Sequence, residues 1–155
     1  MKIILFRFEK EKINFLECDI NAGNLVVGKR ENVSLESIKN RGEKYNKVLD
    51  ELLRIQTKYS AGLLAYQSPQ KYMGKIKDEE GFANSAILHL FCHKNNIKLL
   101  ELTPKVVREK LSIPNEDFKN LLEHEGDSIR KAHSIAKSDK IFDGLVFLSL
   151  LKNII

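Results

Sequence analysis

The chain predicts an α/β fold: a five-stranded mixed sheet, three antiparallel leading strands and then parallel strands, covered by helices on both faces. Three observations predict it. Residues 2–30 hold three short runs rich in β-branched and aromatic residues, joined by tight turns. From Leu35 the apolar residues recur at spacings of three and four instead. Beyond that stretch, two more short apolar runs alternate with helical ones, the crossover pattern that yields parallel strands.

Each element has its own signal. Lys2-Ile3-Ile4-Leu5-Phe6-Arg7-Phe8-Glu9 reads as a strand buried on both faces. Lys10, Glu11 and Lys12 make a polar turn, and Ile13 to Ile20 reads as the second strand. Asn21-Ala22-Gly23-Asn24 is turn chemistry. Leu25 to Arg30 is the third strand, completing an antiparallel meander. Ser34 is a suitable N-cap, with Glu36 in the first turn. Leu35, Ile38, Tyr45, Val48, Leu49, Leu52 and Ile55 predict an amphipathic helix over Leu35–Tyr59, with Gly42 as a weak point. Ala61 to Tyr66 is a fourth strand. Residues 67–77 read as a loop free of acids, and Asp78 caps a helix through Asn95. Ile97 to Leu102 is the fifth strand. Thr103-Pro104 is a cap followed by proline at the first helical position, starting a helix through Leu111. Residues 116–136 read as helix in pieces, broken near Gly126. Ser138 caps a last, largely apolar helix over residues 139–153.

Composition narrows the function classes. A chain of 155 residues is one domain by length, 1–155, long enough for a core without staples. Two cysteines, Cys18 and Cys92, cannot make a disulfide framework. No apolar run reaches the roughly 18 residues of a membrane helix, and the opening residues lack a cleavage site. The expectation is a cytoplasmic protein. Lys and Arg number 26 against 21 Asp and Glu, a net charge of +5, compatible with a polyanionic partner.

One family then comes into view. Ala65-Tyr66-Gln67, Tyr72-Met73-Gly74-Lys75, a helix, and Ile97 to Val107 resemble the central segment of RuvC-type Holliday junction resolvases, of the RNase H-like superfamily. Ser138-Asp139-Lys140-Ile141-Phe142-Asp143-Gly144-Leu145 is similar to the helix that closes their active site. Small bacterial proteins of this length look similar too. The resemblance spans nearly the whole chain, and topology and apolar pattern carry most of it. It implies nucleic acid as partner, DNA ahead of RNA, a two-fold dimer, and hydrolysis of phosphodiesters with Mg²⁺ or Mn²⁺. Such enzymes draw carboxylates from the first strand, the end of the fourth and the last helix. These hold two divalent ions about 3.5–4 Å apart, and hard cations favour anionic oxygen.

The carboxylate pattern departs from the family's. The first-strand position aligns with Phe8, and its neighbour Glu9 is the nearest acid. The fourth-strand glutamate aligns with Gln67, which has oxygen but no charge. Asp143 is retained on the last helix, and Asp139 lies four residues earlier instead of the usual three; a four-residue spacing would share one helical face. The resemblance thus implies Glu9, Asp139 and Asp143 as metal ligands, with Gln67 as a fourth catalytic position. In the basic stretch, Lys71, Tyr72, Lys75 and Lys77 supply cations for phosphates and a ring for stacking on a base.

Other groupings have plainer explanations. His89 and His93, at i and i+4 beside Cys92, have metal-pair spacing but read as the edge of a packed helix face. His124 and His133 read as surface residues. Cys18 and Cys92 fall in buried elements, where a thiolate is disfavoured. Walker A, dinucleotide-glycine and Cys-x-x-Cys motifs are absent. The leading expectation is a nucleic-acid-associated domain with a degenerate metal site and weak or no catalysis. The alternatives are an active Mg²⁺-dependent, structure-selective endonuclease and a non-catalytic protein-interaction module.

Overall fold

The computed structural model describes residues 1–68, 71, 72, 75, 76 and 78–155. β1 (Lys2–Phe8), β2 (Lys12–Asn21) and β3 (Asn24–Ser34) form the antiparallel meander. Ala22 and Gly23, between β2 and β3, have φ of 50° and 77°. Two successive left-handed residues fit the twist of a two-residue hairpin. α1 (Arg41–Tyr59) crosses over to β4 (Leu63–Gln67), which runs parallel to β1. β5 (Lys71–Tyr72) and β6 (Lys75–Ile76) pair as a small antiparallel ladder. α2 (Glu79–Lys94) leads to β7 (Lys98–Leu102), parallel to β4. α3 (Pro104–Leu111), α4 (Asn115–His133) and α5 (Phe142–Leu151) follow. The main sheet has the order β3-β2-β1-β4-β7, the expected five-stranded mixed sheet with β1 at its centre.

The two faces of that sheet carry separate cores. Ile4, Phe6 and Phe8 of β1 pack with Phe15, Tyr66, and the inner faces of α1 and α2. Phe6 stacks on Phe8 with ring centroids 5.6 Å apart. Ile3 and Leu5 point the other way, against Val107 of α3, Phe118 and Ile129 of α4, and most of α5. The two-residue period of a strand assigns alternate side chains to opposite faces. β1 is therefore apolar on both, as expected for the central strand.

Several helix boundaries differ from the sequence reading. α1 begins at Arg41, not Leu35, because Asn40 is the cap: its side chain accepts from the Glu43 N–H at 3.0 Å. Ser34 closes β3 and accepts from the Glu36 N–H in a local turn. Leu35 is fully buried in that turn, so its apolar spacing reports the core rather than a helix. α4 is continuous through Gly126, which is buried; a Cβ there would lie 3.6 Å from the Phe142 ring. Packing against Phe142 outweighs the ~1 kcal/mol intrinsic cost of glycine in a helix. α5 begins at Phe142, so Asp139 lies in the preceding turn and Asp139 and Asp143 do not share a helix face. The stretch read as a loop contains the β5–β6 ladder. The Asp78 and Thr103 caps form as read.

Candidate functional site

The chemistry gathers where β1 and β4 end beneath α5. Arg7 follows Ile3 and Leu5 in the two-residue alternation, so it faces the α5 side. Leu63 and Ala65 place Gln67 on that same side. Phe6 pairs with Tyr66 in the β1–β4 ladder, so Arg7 and Gln67 end neighbouring strands one residue further on. Phe8 lies in the opposite core, 1% exposed. On the face beneath α5 the first strand therefore presents Arg7, while Phe8, the position that the resemblance aligns, faces the opposite core.

The first turn of α5 lies directly on this end of β4. A Cβ at Gly144 would stand 3.3 Å from Gln67 Cβ and Leu5 Cδ1, and 3.4 Å from Gln67 Oε1. Such contacts are tighter than most, so glycine lets the helix approach this closely without displacing Leu5 or Gln67. The N-terminus of a helix carries partial positive charge and free N–H groups. Gln67 is 5% exposed, and its Oε1 has no hydrogen-bond partner among the described residues. Arg7 Nε and Nη1 are likewise buried without a partner among them. Buried polar atoms are ordinarily paired, and leaving a donor unmade costs about 1–3 kcal/mol.

Acids and bases beside this pair are bound to one another. Asn14, opposite Arg7 in the β1–β2 ladder, donates to Glu9 Oε2 at 2.6 Å. Glu9 is ion-paired with Lys140, and Lys12 stands 3.6 Å away. Arg30 of β3 is ion-paired with Asp139, whose Oδ1 also accepts from the Ile141 N–H at 3.1 Å. The two ion pairs fasten the turn before α5 to the sheet. Burial raises the Glu9 pKa, but hydrogen bonds from Lys140 and Asn14 and the charges of Lys140 and Lys12 outweigh it, and the net shift is downward. Asp139 behaves alike: burial opposes, Arg30 and the Ile141 N–H prevail, and its pKa is lowered. Both are carboxylates at neutral pH. Glu9 and Lys140 also line a cavity of about 600 Å³ with Lys10, Lys12, Asn32 and Asp78.

The other sequence-named residues lie elsewhere. Asp143 is exposed and lines a groove against α4 with Lys119, Glu123, Lys137 and Phe142; it is not part of the Glu9 cavity. The structure thus brings Glu9 and Asp139 to one rim with Gln67 near by, and turns Asp143 to another surface. No group of three His, Cys, Asp or Glu side chains positioned to hold a metal ion occurs among the described residues. Lys71, Tyr72 and Lys75 fall in the β5–β6 ladder, but their side chains, and Lys77 altogether, lie outside the described residues.

The histidine spacing on α2 also resolves. His89 Nε2 meets the Tyr66 hydroxyl at 2.7 Å, ring edge to ring face. Burial and the neighbouring Glu101 push the Tyr66 phenol up, so it stays protonated. Burial also pushes the Cys18 thiol to about 12, helped by Glu17, and the Cys92 thiol to about 11. Neither is a nucleophile at neutral pH.

Sequence reasoning overlooked Arg7, Asn14 and Lys140. A signal for Arg7 was present: it is the one charged residue between Ile3 and Phe8. A cation inside such a run, in phase with Leu5, marks a polar position on a buried face.

Comparison places the fold in a class. The fold is that of the RNase H-like resolvases, and among solved structures the chain is similar to those of RuvC type. RuvC of Thermus thermophilus bound to a Holliday junction matches with a TM-score of 0.65, at 9% identity, over 97% of this chain and 91% of that one. The fowlpox virus Holliday junction resolvase matches over 100% of both chains, with a TM-score of 0.56 and 10% identity. The yeast mitochondrial Holliday junction resolvase matches with a TM-score of 0.59 and 12% identity, over 97% of this chain and 78% of that one. No family model matches the sequence, and no curated protein is significantly similar to it.

Proposed function

We propose that this chain, acting as one domain over residues 1–155, binds DNA without two-metal hydrolysis. One observation carries this reading. On the strand ends where the resembled enzymes set metal-binding carboxylates, this chain has Arg7 and Gln67 on one face beneath α5. A guanidinium there opposes a divalent cation. At an effective dielectric of about 20, each pair of like unit charges about 4 Å apart costs about 4 kcal/mol. Gln67 adds no charge, and Glu9 and Asp139 are already engaged by Lys140 and Arg30. The donor set does not fit a pair of divalent ions, so no catalytic step is derived through Mg²⁺ or Mn²⁺. The net charge of +5 and the basic residues Lys71, Lys75 and Lys77, with Tyr72, support contact with a phosphate backbone. Neighbours of the same fold are bound to Holliday junction DNA, which favours DNA over RNA. No described helix is long and apolar enough to cross a membrane.

The test is a titration of labelled four-way junction, duplex DNA and single-stranded RNA, with EDTA, Mg²⁺ or Mn²⁺, followed for binding and cleavage together. The expected result is salt-sensitive DNA binding that is indifferent to EDTA, without cleavage. Metal-dependent cleavage abolished by Asp143→Asn would replace this reading with a resolvase-like nuclease.

A second reading has its own observation. Leu49 and Leu53 on α1 and Leu90 on α2 are 43%, 56% and 61% exposed. Leu49 and Leu90 border a groove of about 250 Å³ with Tyr45, Ile87 and Phe91. An apolar surface of this kind suits a protein contact, such as a homodimer. Sedimentation of the wild type against Leu53→Glu/Leu90→Glu tests it: a dimer that dissociates supports the contact.

A further inference from the structure

We infer that Arg7, with Gln67 and the first turn of α5, forms an anion site that seats one backbone phosphate of the bound nucleic acid. The inference rests on the DNA-binding reading above and deepens it. Four features of the molecule converge on it. Two nitrogens of Arg7 are buried with no partner among the described residues. Gln67 is 5% exposed and its Oε1 is equally unpartnered among them. Gly144 brings the positive end of the ten-residue α5 helix onto the end of β4. Of the acids around it, Glu9 is neutralised by Lys140 and Asp139 by Arg30, while Asp143 in the same first turn lines the groove against α4 instead.

The chemistry selects a phosphate over other ligands. Guanidinium offers N–H donors only, so its ligand must present acceptor oxygens. An ionised oxygen makes these bonds shorter and about twice as strong as neutral ones. The Gln67 amide has both kinds of group. A half-turn about its last torsion brings Nε2 where Oε1 stands, adding a donor to the same anion. Arg7 has no lone pair to give a metal cation and its charge repels one, and the neutral Gln67 Oε1 beside it does not offset that repulsion. The site therefore retains the position of a phosphate-handling centre with its charge inverted: a fixed guanidinium serves where a cation would otherwise bridge protein and phosphate.

Two measurements test this. The first follows the Arg7 Nε–H resonance while inorganic phosphate is added in EDTA. A saturable shift, lost in Gln67→Leu or markedly weakened by it, is expected; no shift overturns the anion site. The second measures binding of four-way junction DNA against salt for wild type, Arg7→Gln and Arg7→Lys, each checked for a wild-type thermal transition. Arg7→Gln is expected to weaken binding about tenfold and to lower the log–log salt slope by about 1. Arg7→Lys should keep the slope and lose part of the affinity, because a point charge replaces a planar donor set. An unchanged slope and affinity in Arg7→Gln would overturn the phosphate contact and leave DNA binding standing. A wild type that binds phosphate at Arg7 but no DNA would overturn the DNA reading and leave the anion site standing.

Discussion

The two faces of β1 end differently. Toward α1 and α2 the strand stays apolar to its last residue, with Phe6 and Phe8 stacked and Tyr66 beside them. Toward α5 it turns polar at Arg7, next to Gln67, and the chain continues into Glu9 and its ion pairs. The same backbone thus ends in a core on one side and, on the other, in buried polar atoms without a partner among the described residues. A core residue is explained by its own packing. Arg7 and Gln67 are not: their buried atoms have no partner among the described residues, and burial without a partner is costly. The contrast separates residues that packing explains from residues to which we assign a ligand.

The largest effect is expected on the apolar face. Phe6→Ala removes a fully buried ring and should cost about 3–5 kcal/mol, read as a lower urea midpoint. A loss below about 1 kcal/mol would show that the face repacks and would blur the comparison. Arg7→Met should go the other way. Replacing buried donors that have no partner among the described residues with an apolar chain of similar length should leave stability unchanged or raise it by about 1–3 kcal/mol. DNA affinity should fall in the same variant. A strong destabilisation would instead make Arg7 a structural residue.

The smallest effect concerns the ion pairs at the rim. The Glu9 and Asp139 pKa values are both lowered in the fold. Their contribution is therefore present above the unfolded carboxylate values, about 4. It is lost as pH falls through the folded values, below about pH 4. The bases that pair with them are partly exposed, Lys140 at 65% and Arg30 at 41%, so solvent screens the gain to about 0.5–1 kcal/mol for each pair. Glu9→Gln/Asp139→Asn should flatten the acid limb of the stability curve and leave pH 7 nearly unchanged. Equal acid slopes in variant and wild type would mean the two pairs do not hold the turn before α5.

How much was legible in the sequence differs between fold and site. The strand–turn alternation of residues 2–30, the Asp78 and Thr103 caps and Pro104 all act within a few residues, and each of these elements forms. Helix starts were misread where apolar residues serve the core from outside a helix, as Leu35 does. The break expected at Gly126 was misread because propensity is local, and the Phe142 ring that fills the space beside it comes from α5. The site was harder still. Glu9, Gln67, Asp139 and Asp143 could be named from a resemblance, but their mutual placement depends on strand phase and on where α5 begins. One residue of strand phase separates Phe8, in the aromatic core, from Arg7, on the site face. The start of α5 at Phe142 leaves Asp139 in a turn with Arg30 and sets Asp143 beside α4.

The sequence by itself determined the order of the main strands and helices and the five-stranded mixed sheet. Periodicity, turn residues and caps are short-range, and a two-residue or 3.6-residue repeat acts wherever it occurs. The tertiary structure alone decided which polar residues meet. Arg7, Gln67 and Gly144 are far apart in the chain and converge only through the β1–β4 register and the seating of α5. Whether a buried polar atom finds a partner depends on every element packed around it, and that is settled only when the chain has closed.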